Sequence, residues 1–150
     1  MKFTKKQIDR YSRQIILKKI GTIGQKKLFK SSVLIVGAGG LGSPVSIYLA
    51  ALGIGKIGII DKDSVEISNL ARQIIFTTYD IKKNKSSVAI KKLKKINPHI
   101  QLESYNSNLT KININRISKK FDLIVDGSDN FKTRFLINDY CLKNKKIFLF

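Results

Sequence analysis

The sequence predicts an α/β fold: a Rossmann-like, doubly wound and mainly parallel sheet with strand order 3-2-1-4-5, preceded by an N-terminal helical arm. Three observations carry that prediction. Short β-branched runs such as "VLIV" (Val33 to Val36) have the composition of strands buried on both faces. They alternate with stretches of helical length and spacing, the pattern that builds a parallel sheet through right-handed crossovers. A glycine turn, "GAGGLG" (Gly37 to Gly42), lies between the first run and the next helix, where such folds receive a nucleotide.

The elements follow in order. Residues 1–30 form the arm. Thr4 caps a helix in which Ile8, Tyr11, Ile15 and, more loosely, Leu17 fall at helical spacing. Gly21 and Gly24 break it, and a short second helix is expected over Lys26 to Phe29. Residues 31–150 form the nucleotide-binding domain. After the first strand, "SPVSIYLAAL" is a helix stopped by Gly53, and "KIGIID" is the second strand. Lys85 to Ile96 read as a helix ended by Asn97-Pro98, and "IQLESYN" as a third strand of alternating character. A brief helix near Ile114 to Lys119 precedes the fourth strand "FDLIVDG". "NFKTRFLINDYCLKN" is the last helix, and "KIFLF" a fifth strand.

Composition narrows the function. At 150 residues and 43% apolar, the chain can bury one sizeable core. Its 29 basic against 10 acidic residues give a net charge of +19, which invites a nucleic-acid reading. The lysines, however, run in pairs through nearly every segment, alongside abundant Ile and Asn, as a compositional bias would place them. Nucleic acid is therefore not expected as the primary partner, although weak, salt-sensitive polyanion binding is. Cys141 is the sole cysteine, which excludes an intrachain disulfide and a paired-cysteine zinc site. No apolar run reaches membrane-span length and no signal-peptide core is present, so the chain reads as cytoplasmic.

The glycine turn alone suits NAD, FAD, S-adenosylmethionine or ATP. Gly37 permits the tight turn, Gly39 and Gly40 let backbone N–H groups approach a phosphate or ribose, and Gly42 allows close helix–strand packing. Asp61 closes the second strand about 20 residues on, where a carboxylate accepts from ribose hydroxyls. Asp63 is expected to face solvent or cap the next turn. The next loop, "SNLARQ", places Asn69, Arg72 and Gln73 just past that carboxylate. A dinucleotide's diphosphate already lies over the glycine turn, which leaves an arginine and two amides there without a role. A triphosphate extends beyond the turn and needs cations and donors. Lys85 can supply a second cation, although most lysines of this chain are solvated surface charges. Asp126 and Asp129 follow the fourth strand, where a carboxylate can hold Mg²⁺ across phosphate oxygens. Asp129 can equally cap the helix that begins at Asn130, or do both.

Taken together, "RYSRQIIL", "VLIVGAGGLGS", "IIDKDSVEISNLARQ", "DIKKNKSSVA", "INPHI" and "DGSDNFKTRFLIND" resemble the MoeB/ThiF/HesA-type adenylyltransferases, bacterial relatives of the ubiquitin-activating enzymes. The resemblance runs from about Arg10 to Phe150, and "SNLARQ" followed by "DGSDN" is far more discriminating than the glycine turn. It implies ATP-dependent adenylation of the C-terminal glycine of a ubiquitin-like sulfur-carrier protein ending in Gly-Gly, in thiamine, molybdenum-cofactor or related sulfur transfer. Position by position, the Gly39 and Gly40 backbone contacts the nucleotide and Asp61 holds the ribose. Asn69, Arg72 and Lys85 surround the phosphates, Gln73 supports their loop, and Asp129 binds Mg²⁺ with Asn130 beside it. Arg13 matches an arginine that these enzymes insert into the partner subunit's ATP site, which implies a homodimer.

Three departures qualify the resemblance. Members usually carry a glycine where this chain has Lys82, so the turn before Lys85 is expected to differ. A zinc-binding cysteine quartet and a cysteine on a later loop, common in the family, have no counterpart here. The family pattern also continues well beyond the position of Phe150, so the chain is expected to be the nucleotide half, truncated before the carrier-docking region. Cys141 is read as a core residue and His99 as part of a helix–strand connection. A nucleotide-binding or dimerisation module without turnover, and an enzyme that activates a modified tRNA base, are the alternatives. An NAD-dependent oxidoreductase leaves Arg13, Asn69 and Arg72 without a role.

Overall fold

The computed structural model describes residues 2–150, and its first helix starts where the sequence caps it. Helix α1 (Lys5–Ile15) is opened by Thr4, whose hydroxyl accepts from the Gln7 N–H while Gln7 Oε1 accepts from the Thr4 N–H at 2.9 Å. Helix α2 spans Gly21–Lys30, so Gly24 lies inside it instead of ending a helix, and only Gly21 (φ 56°) marks the corner between the two. A Cβ at the interior Gly24 would stand 3.1 Å from the Ile20 side chain, a tight contact that a small shift of Ile20 would have to relieve.

The domain follows as β1 (Ser32–Val36), α3 (Gly42–Leu52), β2 (Lys56–Ile60), α4 (Lys85–Ile96), β3 (Gln101–Tyr105), α5 (Ile114–Ser118), β4 (Leu123–Asp126), α6 (Phe131–Asn144) and β5 (Ile147–Leu149). All four strand pairings are parallel and the order is β3-β2-β1-β4-β5, as the sequence predicts. Two short helical turns, Ile67–Asn69 and Thr78–Asp80, shape the connection from β2 to α4.

Alternation along β1 divides the core. Val33 and Ile35 join Ile57 and Ile59 of β2 under α3 and α4, whereas Leu34 and Val36 join Ile60, Ile124 and Phe121 under α5 and α6. The register of β1 on β4 is fixed at its start, where Asp122 Oδ2 accepts from the Ser32 N–H and hydroxyl at 2.8 and 2.7 Å. The arm is part of this core. Tyr11 is fully buried against Gly53, where a Cβ would meet its ring at 2.6 Å. Asn97 at the end of α4 donates to both the Tyr11 hydroxyl and the Ala50 carbonyl, at 2.9 and 2.7 Å. Cys141 is buried in the α6 face of the core, its thiol pushed up by burial. Among the described residues no helix is long and apolar enough to cross a membrane.

Two charged clusters tie the periphery down. Glu103 on β3 pairs with Lys56 at 2.7 Å and Lys120 at 3.4 Å and accepts from the Tyr105 hydroxyl. Burial raises its carboxyl, but the Lys56 and Tyr105 hydrogen bonds outweigh that and hold it down at about 2. Asp80 is also lowered, the burial effect being outweighed by its bonds to Lys92 and Thr77. A carboxyl depressed on folding contributes its stability above its unfolded pKa, about 4.3 for Glu, and loses it as pH falls toward the folded value. Acid titration followed by circular dichroism should therefore show stability declining from about pH 4.5 downward. Glu103→Gln should flatten that slope, and an unchanged slope would remove Glu103 from the account.

The turn into α4 passes through a left-handed residue that carries a side chain. Lys82 has φ 68°, the left-handed conformation that a glycine adopts freely, and its N–H donates to the Val65 carbonyl at 2.8 Å. Replacing Lys82 by Gly should raise the unfolding free energy by about 0.5–1 kcal/mol, since a left-handed residue with a Cβ loses roughly that and more. A lowered urea midpoint for that variant would contradict this.

Candidate active site

The site lies at the carboxyl ends of β1, β2 and β4, on either side of the point where strand order reverses. Its floor is the glycine turn. Gly37 adopts φ 89° and donates to the Ile60 carbonyl at 2.8 Å. A Cβ on Gly42 would lie 1.8 Å from the Gly37 carbonyl, and one on Gly37 would lie 2.9 Å from that of Gly127. The exit of β1 therefore nests into the exit of β4, where Gly127 donates to the Val36 carbonyl at 2.7 Å. Gly39 and Gly40 line the open side, at the start of α3, where free N–H groups and the helix dipole favour negative charge.

Asp61, half-buried, holds this turn in place. Its Oδ2 accepts from the Ala38 N–H and its Oδ1 from the Asp63 N–H, both at 2.8 Å. Each oxygen retains acceptor capacity, and the carboxylate lines the cavity. Asp63 also faces Lys85, at 3.7 Å, so it is more than a solvated charge. Lys85, in the first turn of α4, is only 7% exposed yet has that single loose counter-ion among the described residues. Its burial distinguishes it from the surface lysines.

The "SNLARQ" loop brings two of its three predicted residues to the cavity. Arg72 is exposed, with its stem beside Gly40 and Nη1 donating to the Ser68 carbonyl at 3.2 Å. Gln73 is 4% exposed, and its Oε1 has no hydrogen-bond partner among the described residues. Asn69 does not line the cavity. Its Oδ1 accepts from the Glu66 N–H, and its carbonyl receives the N–H groups of Arg72 and Gln73, so it shapes the loop that carries them.

Past β4 the two aspartates separate. Asp126 is buried and paired with Arg134 at 3.1 Å, which removes it as a ligand for a phosphate-bound cation. Asp129 is exposed on the cavity wall. It does not cap α6, because Asn130 does, its Oδ1 accepting from the Thr133 N–H at 2.9 Å. No cluster of three or more metal-ligating side chains occurs among the described residues. A lone, accessible carboxylate fits Mg²⁺ that arrives on a nucleotide and keeps several waters, and does not fit an all-protein cage. Arg13 is exposed on α1 and outside the cavity.

The whole space encloses about 1350 Å³, room for a nucleotide and part of a second reactant. Sequence reasoning missed its far wall. The loop from Ser107 to Ile112 after β3 and the α6 face bearing Lys132, Phe135 and Asp139 complete it. The loop carries no recognisable motif, whereas Lys132, Phe135 and Asp139 lie within "DGSDNFKTRFLIND", a stretch read for its aspartates and Asn130 and not for these three, whose helical spacing places them on one face. Gly127 was legible only as part of "DGSDN", without its steric reason.

The chain is 49% identical over 139 residues to the sulfur carrier protein adenylyltransferase of Thermus thermophilus, covering 93% of this chain and 51% of the relative. It is 48% identical to a probable molybdopterin-synthase adenylyltransferase of Porphyra purpurea, covering 99% of this chain and 39% of that one. Among solved structures, Escherichia coli tRNA N6-threonylcarbamoyladenosine dehydratase, TcdA, in complex with ATP superposes with a TM-score of 0.91 at 25% identity, covering 99% of this chain and 60% of TcdA. The chain thus spans about half, or less, of the length of these two curated relatives. The ThiF family model matches residues 11–150, and the chain belongs to the ThiF family of MoeB/ThiF-type adenylyltransferases.

Proposed function

We propose that this chain supplies the nucleotide half of an adenylyltransferase that activates the C-terminal glycine carboxylate of a ubiquitin-like sulfur-carrier protein with ATP. The observation that carries the reading is the convergence, in one cavity, of the glycine cradle, Asp61, Arg72, buried Lys85 and accessible Asp129. The names of the relatives most similar in sequence point to the same acceptor.

In this reading Gly39 and Gly40 N–H groups face the phosphates and Asp61 accepts from the ribose hydroxyls. Arg72 and Lys85 meet the outer phosphates, with Gln73 and Asn69 supporting their loop and Asn130 beside Asp129. Asp129 holds Mg²⁺ carried on the nucleotide, and the ion supplies neutralising charge on the phosphate oxygens. An oxygen of the carrier's ionised carboxylate attacks the α-phosphorus. The bond to the oxygen bridging α and β phosphorus breaks, and its electron pair leaves with pyrophosphate. The product is the acyl-adenylate. The attacking group is already an anion, so no side-chain base or nucleophile is required. The residues position the reactants and stabilise charge developing on the leaving group. Arg13, exposed and outside the cavity of its own chain, takes in this reading the role that the family resemblance implies, entering the phosphate site of a second copy in a homodimer.

A second reading, activation of a modified tRNA base, is favoured by one observation: the close superposition on TcdA. One assay separates the two. ATP–pyrophosphate exchange with Mg²⁺ should be stimulated by a carrier ending in Gly-Gly and not by tRNA. Arg72→Ala and Asp129→Ala should each lower the exchange rate by about 100-fold or more. Asp61→Ala should weaken ATP binding by about tenfold, the value of one hydrogen bond to a charged acceptor. Stimulation by tRNA alone would transfer the assignment. ATP binding without exchange under either condition would leave a nucleotide-binding module.

A further inference from the structure

We propose that Asp126 and Arg134 form a positioning pair that sets the Asp129 carboxylate against the glycine cradle, a role that rests on the nucleotide-site reading above. Asp126 is 2% exposed at the end of β4. Its Oδ1 accepts from both the N–H and the hydroxyl of Ser128, at 2.9 and 2.6 Å, and its Oδ2 accepts from Arg134 Nε at 3.1 Å. The carboxylate spans two elements, since Ser128 belongs to the turn that carries Asp129 and Arg134 to the first turns of α6. From the other side, Gly127 is fixed by its bond to Val36 and its close approach to Gly37. The turn is therefore held on both flanks, and Asp129 is its one exposed acidic side chain.

Arg134 does not line the cavity, so it acts through Asp126 and touches no reacting atom. Its guanidinium also lies 5.8 Å from the Phe131 ring centre and 5.3 Å from that of Phe150. Donating in plane at Nε while presenting its face to aromatic rings is a combination that lysine cannot reproduce. Without the guanidinium, Asp126 becomes a buried carboxylate with one oxygen lacking its charged partner, and it turns toward water or another donor. Ser128 then loses its anchor, and Asp129 its fixed distance from Gly39 and Gly40.

The test uses the full chain, with Arg134→Gln as the main variant and Arg134→Lys as the conservative one. ATP binding is measured by calorimetry with Mg²⁺ and with EDTA, and amide hydrogen exchange is followed over residues 126–130. Arg134→Gln should remove the Mg²⁺-dependent gain in ATP affinity by about 10- to 100-fold, the range for partners that orient a metal ligand, and leave Mg²⁺-free binding within about twofold. Exchange at Ser128 should quicken, and the thermal midpoint should fall because a buried carboxylate loses its charged partner. Arg134→Lys should fall between them. Unchanged Mg²⁺-dependent binding overturns the proposal, as does an equal loss with and without Mg²⁺, which marks a general structural role. If the parent chain binds no ATP, the nucleotide reading fails, and the Ser128 amide decides the rest: faster exchange in Arg134→Gln retains the pair as the anchor of that turn, and unchanged exchange removes it.

Discussion

Everything at this site depends on the contact between two strand exits. Gly37 and Gly127 approach so closely that neither neighbour leaves space for a Cβ, and Gly42 lies against the Gly37 carbonyl. Parallel strands of one sheet always end side by side, but their exit loops usually diverge to clear their own side chains. Here the absence of side chains lets the β1 exit and the β4 exit share one backbone junction. The cradle of N–H groups and the Asp129 turn consequently open into the same cavity. Asp61 extends the arrangement to β2, since its carboxylate holds Ala38 within the glycine turn. Three strand ends are thereby fixed to one another by backbone contacts and one carboxylate, without reliance on flexible side chains.

The electrostatics of the site differ from those of the surface. Elsewhere the chain satisfies its buried or half-buried charges closely, as in Lys56 with Glu103 at 2.7 Å. Lys85 is more buried than either, yet its counter-ion stands 3.7 Å away. A cation removed from water and only loosely compensated is stabilised by any anion that enters. Arg72, stretched over Gly40 and free at most of its donors, presents the same opportunity from the opposite wall. The net charge of +19 attracts polyanions of every kind from a distance. The cavity combines Arg72 and Lys85 with the glycine turn at the start of α3, and that combination suits compact phosphates better than an extended backbone.

The sheet order, the strand positions and the Thr4 cap were legible in the sequence because each follows from local chemistry: β-branched runs, a hydroxyl with Gln three residues on, and glycine where a turn must be tight. The failures are equally physical. Gly24 reads as a breaker because propensity argues against it, whereas it lies inside α2, one turn from Ile20. Asp126 and Asp129 are indistinguishable as letters. The deciding difference is strand parity and the presence of Arg134 one helical turn beyond Asn130, a long-range pairing that spacing alone does not announce. Asn130 and Asp129 compete for the same cap, and backbone geometry chose the amide. The wall from Ser107 to Ile112 carries no pattern, since a loop that only encloses space is constrained in shape more than in residue type.

That contrast bears on how such a half-site serves different acceptors. In the proposed reading, attack by a carboxylate on an α-phosphorus requires alignment and charge neutralisation, which the cradle, Arg72, Lys85 and the Asp129 turn would supply. Cys141, buried with its thiol pushed up by burial, has no part in it. A site that works by position has to be rigid where the nucleotide lies and free to vary where the acceptor enters. The rigid part is the portion written in glycines and paired carboxylates. In the proposed reading the acceptor would enter past the wall formed by the loop after β3 and the exposed face of α6. Relatives named for a sulfur carrier and for molybdopterin synthase, and a fold neighbour named for a tRNA base, are intelligible on one physical account. On the proposed reading, substitutions in the wall would alter the acceptor and substitutions in the cradle would remove the chemistry.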